Sequence, residues 1–307
     1  MVALLFPGQG SQTVGMGRDL ADRFPEARAV FEEADDVLGF ALSKLAWEGP
    51  GEELTLTHNA QPAILTHSVA VYRVVASRLG DIRFAAGHSL GEFSAYVAAG
   101  AMSFADALRT VRRRGELMFR SGEERPGTMA AVLGLEDEVL EDVCRSASTA
   151  DEVCIAANYN APGQIVISGD VAAVERASEL AREAGARRVL PLNVSGAFHS
   201  PLMAVAEAGL AEQLDLVDLT APEFPVVSNV NAEAVTEAAR ARELLLRQLT
   251  SPVRWTACMR TILDGGVNTF LELGRGSVLS GLLRRIDRDA KAVTLGTVAE
   301  VEAFLGQ

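Results

Sequence analysis

The stretch Phe84-Ala85-Ala86-Gly87-His88-Ser89-Leu90-Gly91-Glu92 constrains this chain more than any other. A short apolar run enters Gly-x-Ser-x-Gly, and an alanine-rich segment leaves it from Leu90 to Ala99, with Gly100 placed as a helix stop. A strand that turns this sharply into a helix needs small residues on both sides, because a Cβ at Gly87 or Gly91 would collide as the two elements close up. The turn leaves the Ser89 hydroxyl exposed at its apex, above a helix N-terminus where the Leu90 backbone N–H can face a developing oxyanion. An ordinary strand-to-helix loop can also hold a serine between glycines. A strand before and a helix after are the context that favours a nucleophile.

From the N-terminus, Val2–Phe6 reads as a buried strand followed by Pro7-Gly8-Gln9-Gly10-Ser11-Gln12. Without Gly-Lys-Ser/Thr or a third glycine in dinucleotide spacing, this is not a phosphate loop. It reads either as a turn offering a second N–H to an oxyanion or as a plain turn between strand and helix. Helical pattern runs from Phe24 to Leu38, a polar loop surrounds Gly49-Pro50-Gly51, and a largely buried helix spans Gln61 to Leu79. After the serine, Phe104, Ala107, Leu108, Val111, Gly115 and Met118 recur at three- and four-residue spacing and define the inward face of a helix from Ser103 to Arg120. Arg109 and Arg113 point away from that face and Arg112 lies about a right angle off it, positions that suit solubilising side chains. Arg114 lies on the flank of the apolar face, where a guanidinium wants a carboxylate or phosphate to fork onto; a structural ion pair is the competing use.

Residues 127–193 have their own rhythm: strand Thr128–Leu133, helix Glu136–Ser148, strand Val153–Asn158, the turn Asn160-Ala161-Pro162-Gly163, strand Gln164–Ser168, helix Val171–Ala184 and strand Arg187–Leu192. This β-α-β-β-α-β order is that of a ferredoxin-like subdomain. Strand–helix alternation resumes after it, so the expected fold is α/β: a parallel-sheet, hydrolase-like large domain (residues 1–126 and 194–307) with an inserted ferredoxin-like subdomain (127–193).

A serine nucleophile needs a base, and the chain holds four histidines. His88 neighbours the serine in the elbow and should point away from its hydroxyl, and His58 and His67 lie in or beside the Gln61–Leu79 helix. His199, in Ser195-Gly196-Ala197-Phe198-His199-Ser200-Pro201, is the base by elimination, with a packing histidine as the alternative. In α/β-hydrolases the histidine comes near the end of the chain, whereas no histidine follows His199 here. An ordinary α/β-hydrolase is therefore disfavoured, and Arg114 tilts the reading towards transfer of an acidic acyl group through an acyl-serine.

Composition removes other classes. A net charge of −13 argues against nucleic-acid or anionic-membrane surfaces. Cys144, Cys154 and Cys258 are scattered without Cys-x-x-Cys spacing, which argues against a disulfide framework or a thiolate metal site. No span approaches the ~20 apolar residues of a membrane helix, and a soluble cytoplasmic protein is expected.

With these residues laid out, the chain resembles the malonyl-CoA:acyl carrier protein transacylases, free-standing acyltransferases of fatty-acid and polyketide synthesis. The likeness runs almost end to end: Phe6-Pro7-Gly8-Gln9-Gly10-Ser11-Gln12, Gly87-His88-Ser89-Leu90-Gly91-Glu92, Arg114-Gly115, Asn160-x-Pro162-Gly163-Gln164, Gly196-Ala197-Phe198-His199-Ser200-Pro201, and Arg247-Gln248-Leu249 with Pro252-Val253-x-Trp255. The resemblance implies Ser89 as nucleophile, His199 as general base, the Gln9 and Leu90 N–H groups as oxyanion donors, and Arg114 on the free malonyl carboxylate. It further implies that Gln248 supports the site near His199, that Asn160 sits by the ligand between domains, and that Phe198 crowds an α-methyl branch. Its substrates would be malonyl-CoA and a phosphopantetheinylated acyl carrier protein, with no bound cofactor or metal and a monomeric chain. A different acyl or extender unit in polyketide synthesis, an editing hydrolase on the same scaffold and a non-catalytic carrier-binding module are the alternatives. Because such carrier proteins are acidic, docking would use a local arginine patch, either Arg187 and Arg188 or Arg275, Arg284 and Arg285.

Overall fold

Strand β1 (Val2–Phe6) is the centre from which the fold is built: its last four residues are buried, as a strand with covered faces requires. The computed structural model describes residues 1–306. Helices α1 (Arg18–Arg23), α2 (Pro25–Leu38), α3 (Leu42–Glu48), α4 (Gly51–Thr55) and α5 (Thr57–Val75) separate β1 from β2 (Ile82–Gly87). Next come α6 (Gly91–Ala98) and α7 (Phe104–Glu124). The following segment is β3 (Gly127–Leu133), α8 (Asp137–Ala147), β4 (Cys154–Ala161), β5 (Gln164–Asp170), α9 (Val171–Glu183) and β6 (Arg188–Pro191). A 3₁₀ turn over Pro201–Ala206 leads into α10 (Glu207–Asp215), β7 (Val226–Val227), β8 (Ala234–Val235), α11 (Ala238–Arg247) and α12 (Trp255–Asp264). The chain closes with β9 (Thr269–Leu273), α13 (Val278–Ile286), β10 (Lys291–Leu295) and α14 (Val298–Leu305).

The large sheet runs β10-β9-β1-β2-β7-β8. Every pairing in it is parallel except β7 with β8, so the expected parallel sheet is a mixed one with an antiparallel edge. The two-residue β8 is too short to show an alternating pattern, which is why the sequence did not announce it. Side chains of β1 alternate between faces: Leu4 and Phe6 join the core under α2, α5, α6 and α7, while Ala3 and Leu5 join Trp255, Met259 and Leu283 from α12 and α13.

The second sheet, β4-β5-β3-β6, is antiparallel throughout. Ala130, Val132, Ile165 and Ile167 pack under α8 and α9 as a separate core. Met129 and Val166, one residue out of phase, join the core of the large part instead. Backbone bonds from Tyr159 N to Val253 O (2.9 Å) and from Val253 N to Ala157 O (2.8 Å) fasten β4 to the segment before α12. No described helix is long and apolar enough to cross a membrane.

Helices α1, α3, α4 and α10 were not expected from the sequence. They are short and none has a side-chain N-cap bond, so they lack both a long period and a start signal. By contrast α7 starts on Ser103, whose hydroxyl accepts the Asp106 N–H at 3.0 Å. The α5 helix begins at Thr57 and carries Pro62 inside it. Pro62 cannot donate to His58 O, and Arg112 Nη1 takes that carbonyl at 3.0 Å. Arg112 also bonds Asn59 Oδ1 (2.6 Å) and Glu116 (2.8 Å), so it clamps two helices rather than merely solubilising one.

Candidate active site

Chemistry-bearing residues gather at the C-terminal ends of parallel strands, where open α/β sheets place their ligands. Gln9 follows β1, Ser89 follows β2 and Asn229 follows β7. The elbow is as crowded as its glycines imply: a Cβ on Gly87 would stand 1.9 Å from Gly91 C and O, and one on Gly91 would stand 2.1 Å from Phe6 O. Ser89 holds φ 51°, a left-handed backbone that side chains other than glycine rarely adopt.

Ser89 Oγ lies 2.7 Å from His199 Nε2. On the other side of the ring, His199 Nδ1 lies 2.9 Å from the Gln248 backbone O. A carbonyl can only accept, so the proton belongs on Nδ1 and the Nε2 lone pair faces the Ser89 hydroxyl. His199 is 3% exposed. Burial first, and the Arg114 charge second, push its pKa down to about 3, so the imidazole is neutral at neutral pH.

Arg114 is 1% exposed and reaches the same oxygen, with Nη2 donating to Ser89 Oγ at 3.1 Å. Its remaining partners are neutral: Gln61 Oε1 at 2.7 Å and Gln248 Oε1 at 2.9 Å. Among the described residues it forms no ion pair, which removes the structural competitor raised by its sequence position. Burial lowers its pKa to about 10, leaving it cationic at neutral pH. A buried cation whose own hydrogen bonds go to amide oxygens and a serine hydroxyl, with the Glu92 carboxyl one amide further off, has no carboxylate bonded to it.

Gln9 is held through its side chain: Thr57 Oγ1 donates to Gln9 Oε1 at 2.8 Å, and Gln61 Nε2 donates to Thr57 Oγ1 at 3.1 Å. Neither the Gln9 nor the Leu90 backbone N–H meets an acceptor among the described residues, and both residues line the cavity over Ser89. That cavity, about 420 Å³, takes its opposite wall from Phe198 and from Met129, Asn160 and Val166 of the antiparallel sheet. A neighbouring cavity of about 610 Å³ shares Gln9, Gln12, Thr55, Asn193 and Val194 with it, so the two form one groove. His88 turns away from the serine, as its neighbouring position in the elbow predicts. Its Nε2–H donates to Asn160 Oδ1 at 2.8 Å, and burial lowers its pKa.

Three residues at the centre of this network went unassigned in the sequence: Gln61, Glu92 and Asn229. Asn229 Oδ1 accepts the Ser89 N–H at 2.7 Å and its Nδ2 donates to Gly87 O at 2.8 Å. The signal available for it was a polar Ser228-Asn229 pair directly after a short apolar strand. Gln61 and Glu92 are polar residues on helices that are otherwise buried. Of the arginines considered for docking, Arg284 and Arg285 lie exposed on α13, whose Val278, Leu279 and Leu282 line the cavity. Arg285 binds Pro162 O at 3.0 Å, while Arg187 and Arg188 are exposed on the antiparallel unit.

The chain matches the acyl transferase domain family over residues 3–300. It is 48% identical over 301 residues to the malonyl CoA-acyl carrier protein transacylase of Bacillus subtilis (98% of this chain, 95% of the relative). It is 46% identical to the protein of the same name from Haemophilus influenzae (99% and 98%). Among solved structures, an acyl carrier protein S-malonyltransferase from Vibrio cholerae superposes with a TM-score of 0.94 at 44% identity (98% and 99% covered). A malonyl-transacylase in complex with its type II PKS acyl-carrier protein does so at 0.96 and 42% (99% and 99%).

Proposed function

The chain belongs to the acyl transferase domain family, and we propose that it moves a malonyl group from malonyl-CoA to the phosphopantetheine thiol of an acyl carrier protein. One observation carries this reading: the Ser89 hydroxyl lies between a neutral histidine (2.7 Å) and a buried guanidinium (3.1 Å) that bonds no carboxylate directly. The first makes an acyl-serine; the second selects an acyl group that ends in a carboxylate.

The reaction runs as two half-transfers. Malonyl-CoA enters the groove with its free carboxylate on Arg114, which exchanges its bond to Ser89 Oγ for the substrate. His199 Nε2 takes the Ser89 proton as Oγ attacks the thioester carbon, and the oxyanion forms against the Gln9 and Leu90 N–H groups. The C–S bond breaks, the proton on His199 goes to the leaving thiolate, and malonyl-Ser89 remains. The carrier thiol then gives its proton to His199 and attacks the ester, and the same proton returns to Ser89 Oγ. The Gln248 carbonyl holds the imidazole in the correct tautomer through both halves, in the place an aspartate takes in a serine triad. Asn160 and Phe198 shape the wall facing the acyl chain, and the bulk of Phe198 works against an α-branched group. Burial of both His199 and Arg114 supports transfer to a thiol over hydrolysis by water.

Residues 127–193 form, on this reading, a ferredoxin-like subdomain inserted into a large domain of residues 1–126 and 194–307. The βαββαβ order, the β4-β5-β3-β6 sheet and a core of its own support that division. The carrier protein docks at the mouth between the two. Exposed Val278 (56%) and the arginines of α13 offer an apolar and basic rim there.

Intact-mass measurement after brief exposure to malonyl-CoA, acetyl-CoA and methylmalonyl-CoA tests the reading. A malonyl adduct on wild type that is absent from Ser89→Ala is expected, with little from the other donors. An adduct strongest from a neutral or branched donor overturns the substrate, and prompt release of free malonate without a carrier points to a hydrolase.

A further inference from the structure

Glu92 lies in the first turn of α6, directly after the elbow, and is fully buried. The half-transfers above give it no role, yet one of its oxygens gathers the two residues that hold Ser89, Asn229 by its backbone and Gln248 by its side chain. Glu92 Oε2 accepts the Asn229 backbone N–H at 3.0 Å and the Gln248 Nε2–H at 2.8 Å. From there each amide reaches one side of the serine backbone: Asn229 Oδ1 accepts the Ser89 N–H at 2.7 Å, and Gln248 Nε2 donates to Ser89 O at 3.1 Å. Glu92 Oε1 has no hydrogen-bond partner among the described residues.

Two physical facts give this arrangement its meaning. A non-glycine residue in the left-handed region costs about 1–3 kcal/mol and persists only where its surroundings over-determine it. Ser89, at φ 51°, is pinned through both its N–H and its C=O. Second, the Gln248 amide stands between a guanidinium and a carboxylate, with Oε1 on Arg114 and Nε2 on Glu92. Reversing it would turn N–H groups towards the cation and an oxygen towards the anion. Glu92, together with Arg114 and the Ser89 carbonyl, sets which way the Gln248 amide faces, while the backbone carbonyl of Gln248 accepts from His199. Burial pushes the Glu92 carboxyl up to about 7, against the pull of Asn229, Gln248, Ser228 and Arg114, so its acceptor geometry matters as much as its charge.

We propose that Glu92 is the positioning residue of the nucleophile: by holding Asn229 and Gln248 on one carboxylate oxygen, it fixes the left-handed backbone at Ser89 and hence the direction of its hydroxyl. Arg114 feels the Glu92 charge without bonding it, since its bonds go to Gln61, Ser89 and Gln248, and the role assigned to Glu92 here is one of reach. The inference rests on the reading of Ser89 as the nucleophile.

The test uses the full chain with Glu92→Gln, Glu92→Asp and Glu92→Ala. It measures kcat and KM for malonyl-CoA and acetyl-CoA, and the rate at which a fluorophosphonate labels Ser89. Glu92→Gln keeps an oxygen in the Oε2 position and puts its amide NH₂ where Oε1 has no partner; it should stay within about tenfold of wild type. Glu92→Asp keeps the charge but withdraws the oxygen by a methylene. It and Glu92→Ala should lose about 10²-fold in kcat and in labelling, for both acyl donors alike and with KM nearly unchanged. The aspartate variant carries the comparison if the alanine variant does not fold. Glu92→Asp as fast as wild type, Glu92→Gln as slow as Glu92→Asp, or a loss confined to malonyl-CoA would each overturn the proposal. A wild type labelled by fluorophosphonate but not by malonyl-CoA removes the substrate and leaves this inference standing. A wild type labelled by neither removes the nucleophile, and the inference with it.

Discussion

The two sheets of this molecule bury different kinds of residue. Around the C-terminal edge of the large sheet lie Gln61, Glu92, Arg114, His199, Asn229 and Gln248, all buried and polar, each bonded to at least one of the others or to Ser89. Under the antiparallel sheet lie Ala130, Val132, Ile165, Ile167, Val174 and Ala177, a wholly apolar layer beneath two helices. A buried polar network fixes direction where its members are paired and is costly where they are not, as at Glu92 Oε1 and Arg114 Nε; an apolar layer is stabilising but sets no direction. The first region therefore suits chemistry and the second suits shape. What the antiparallel unit offers the cavity is a wall of Met129, Asn160 and Val166.

Substitutions can break that contrast. The largest effect is expected at Ser89: Ser89→Ala should abolish adduct formation and lower kcat by more than about 10⁴-fold, with the melting temperature little changed. Survival of turnover would move the nucleophile elsewhere. Arg114→Ala comes next. Losing charge-assisted bonds to the carboxylate should cost malonyl transfer about 10²-fold more than acetyl transfer, and equal losses would remove the carboxylate assignment. In the antiparallel core, Ile167→Ala should instead cost about 2–5 kcal/mol of stability by urea melt and leave kcat of the folded enzyme within twofold or so of wild type. A fall in kcat without a fall in stability would show that the wall does more than shape the cavity.

A smaller expected effect concerns pH. An ordinary histidine base loses about tenfold in rate per pH unit below 6.5. His199, with Arg114 and His88 as its charged and titratable neighbours, is held at about 3, so its neutral form persists as pH falls from 8 to 5. The rate of Ser89 acylation should stay flat over that range; a limb near pH 6.5 that survives in Glu92→Gln would assign an unperturbed pKa to His199. Smallest of all, Asp142→Ala removes an exposed pair with Arg145 (2.8 Å) on α8 and should shift stability by less than about 0.5 kcal/mol.

Much of this was legible in the chain itself. The elbow, the long apolar helix faces and the βαββαβ rhythm are local patterns, so strand β1 appeared in the sequence with its observed bounds and α2 within a residue. The family resemblance was equally local, resting on short contiguous motifs spread along the chain, and the match over residues 3–300 agrees with it. Short uncapped helices such as α3 and the two-residue β8 carry too few residues to form a period, and they emerged only with tertiary packing.

The same division holds within the site. Sequence alone determined that a serine sits on a tight strand-to-helix turn and that one histidine and one flank arginine were available to it. Only the tertiary structure decided what Arg114 faces, because helical phase gives its direction but not its neighbours. Those neighbours are Gln61, 53 positions away, and Gln248, 134 positions away. It decided likewise that Asn229 and Gln248 share one carboxylate oxygen of Glu92, since hydrogen bonds spanning 137 and 156 residues leave no local pattern to read.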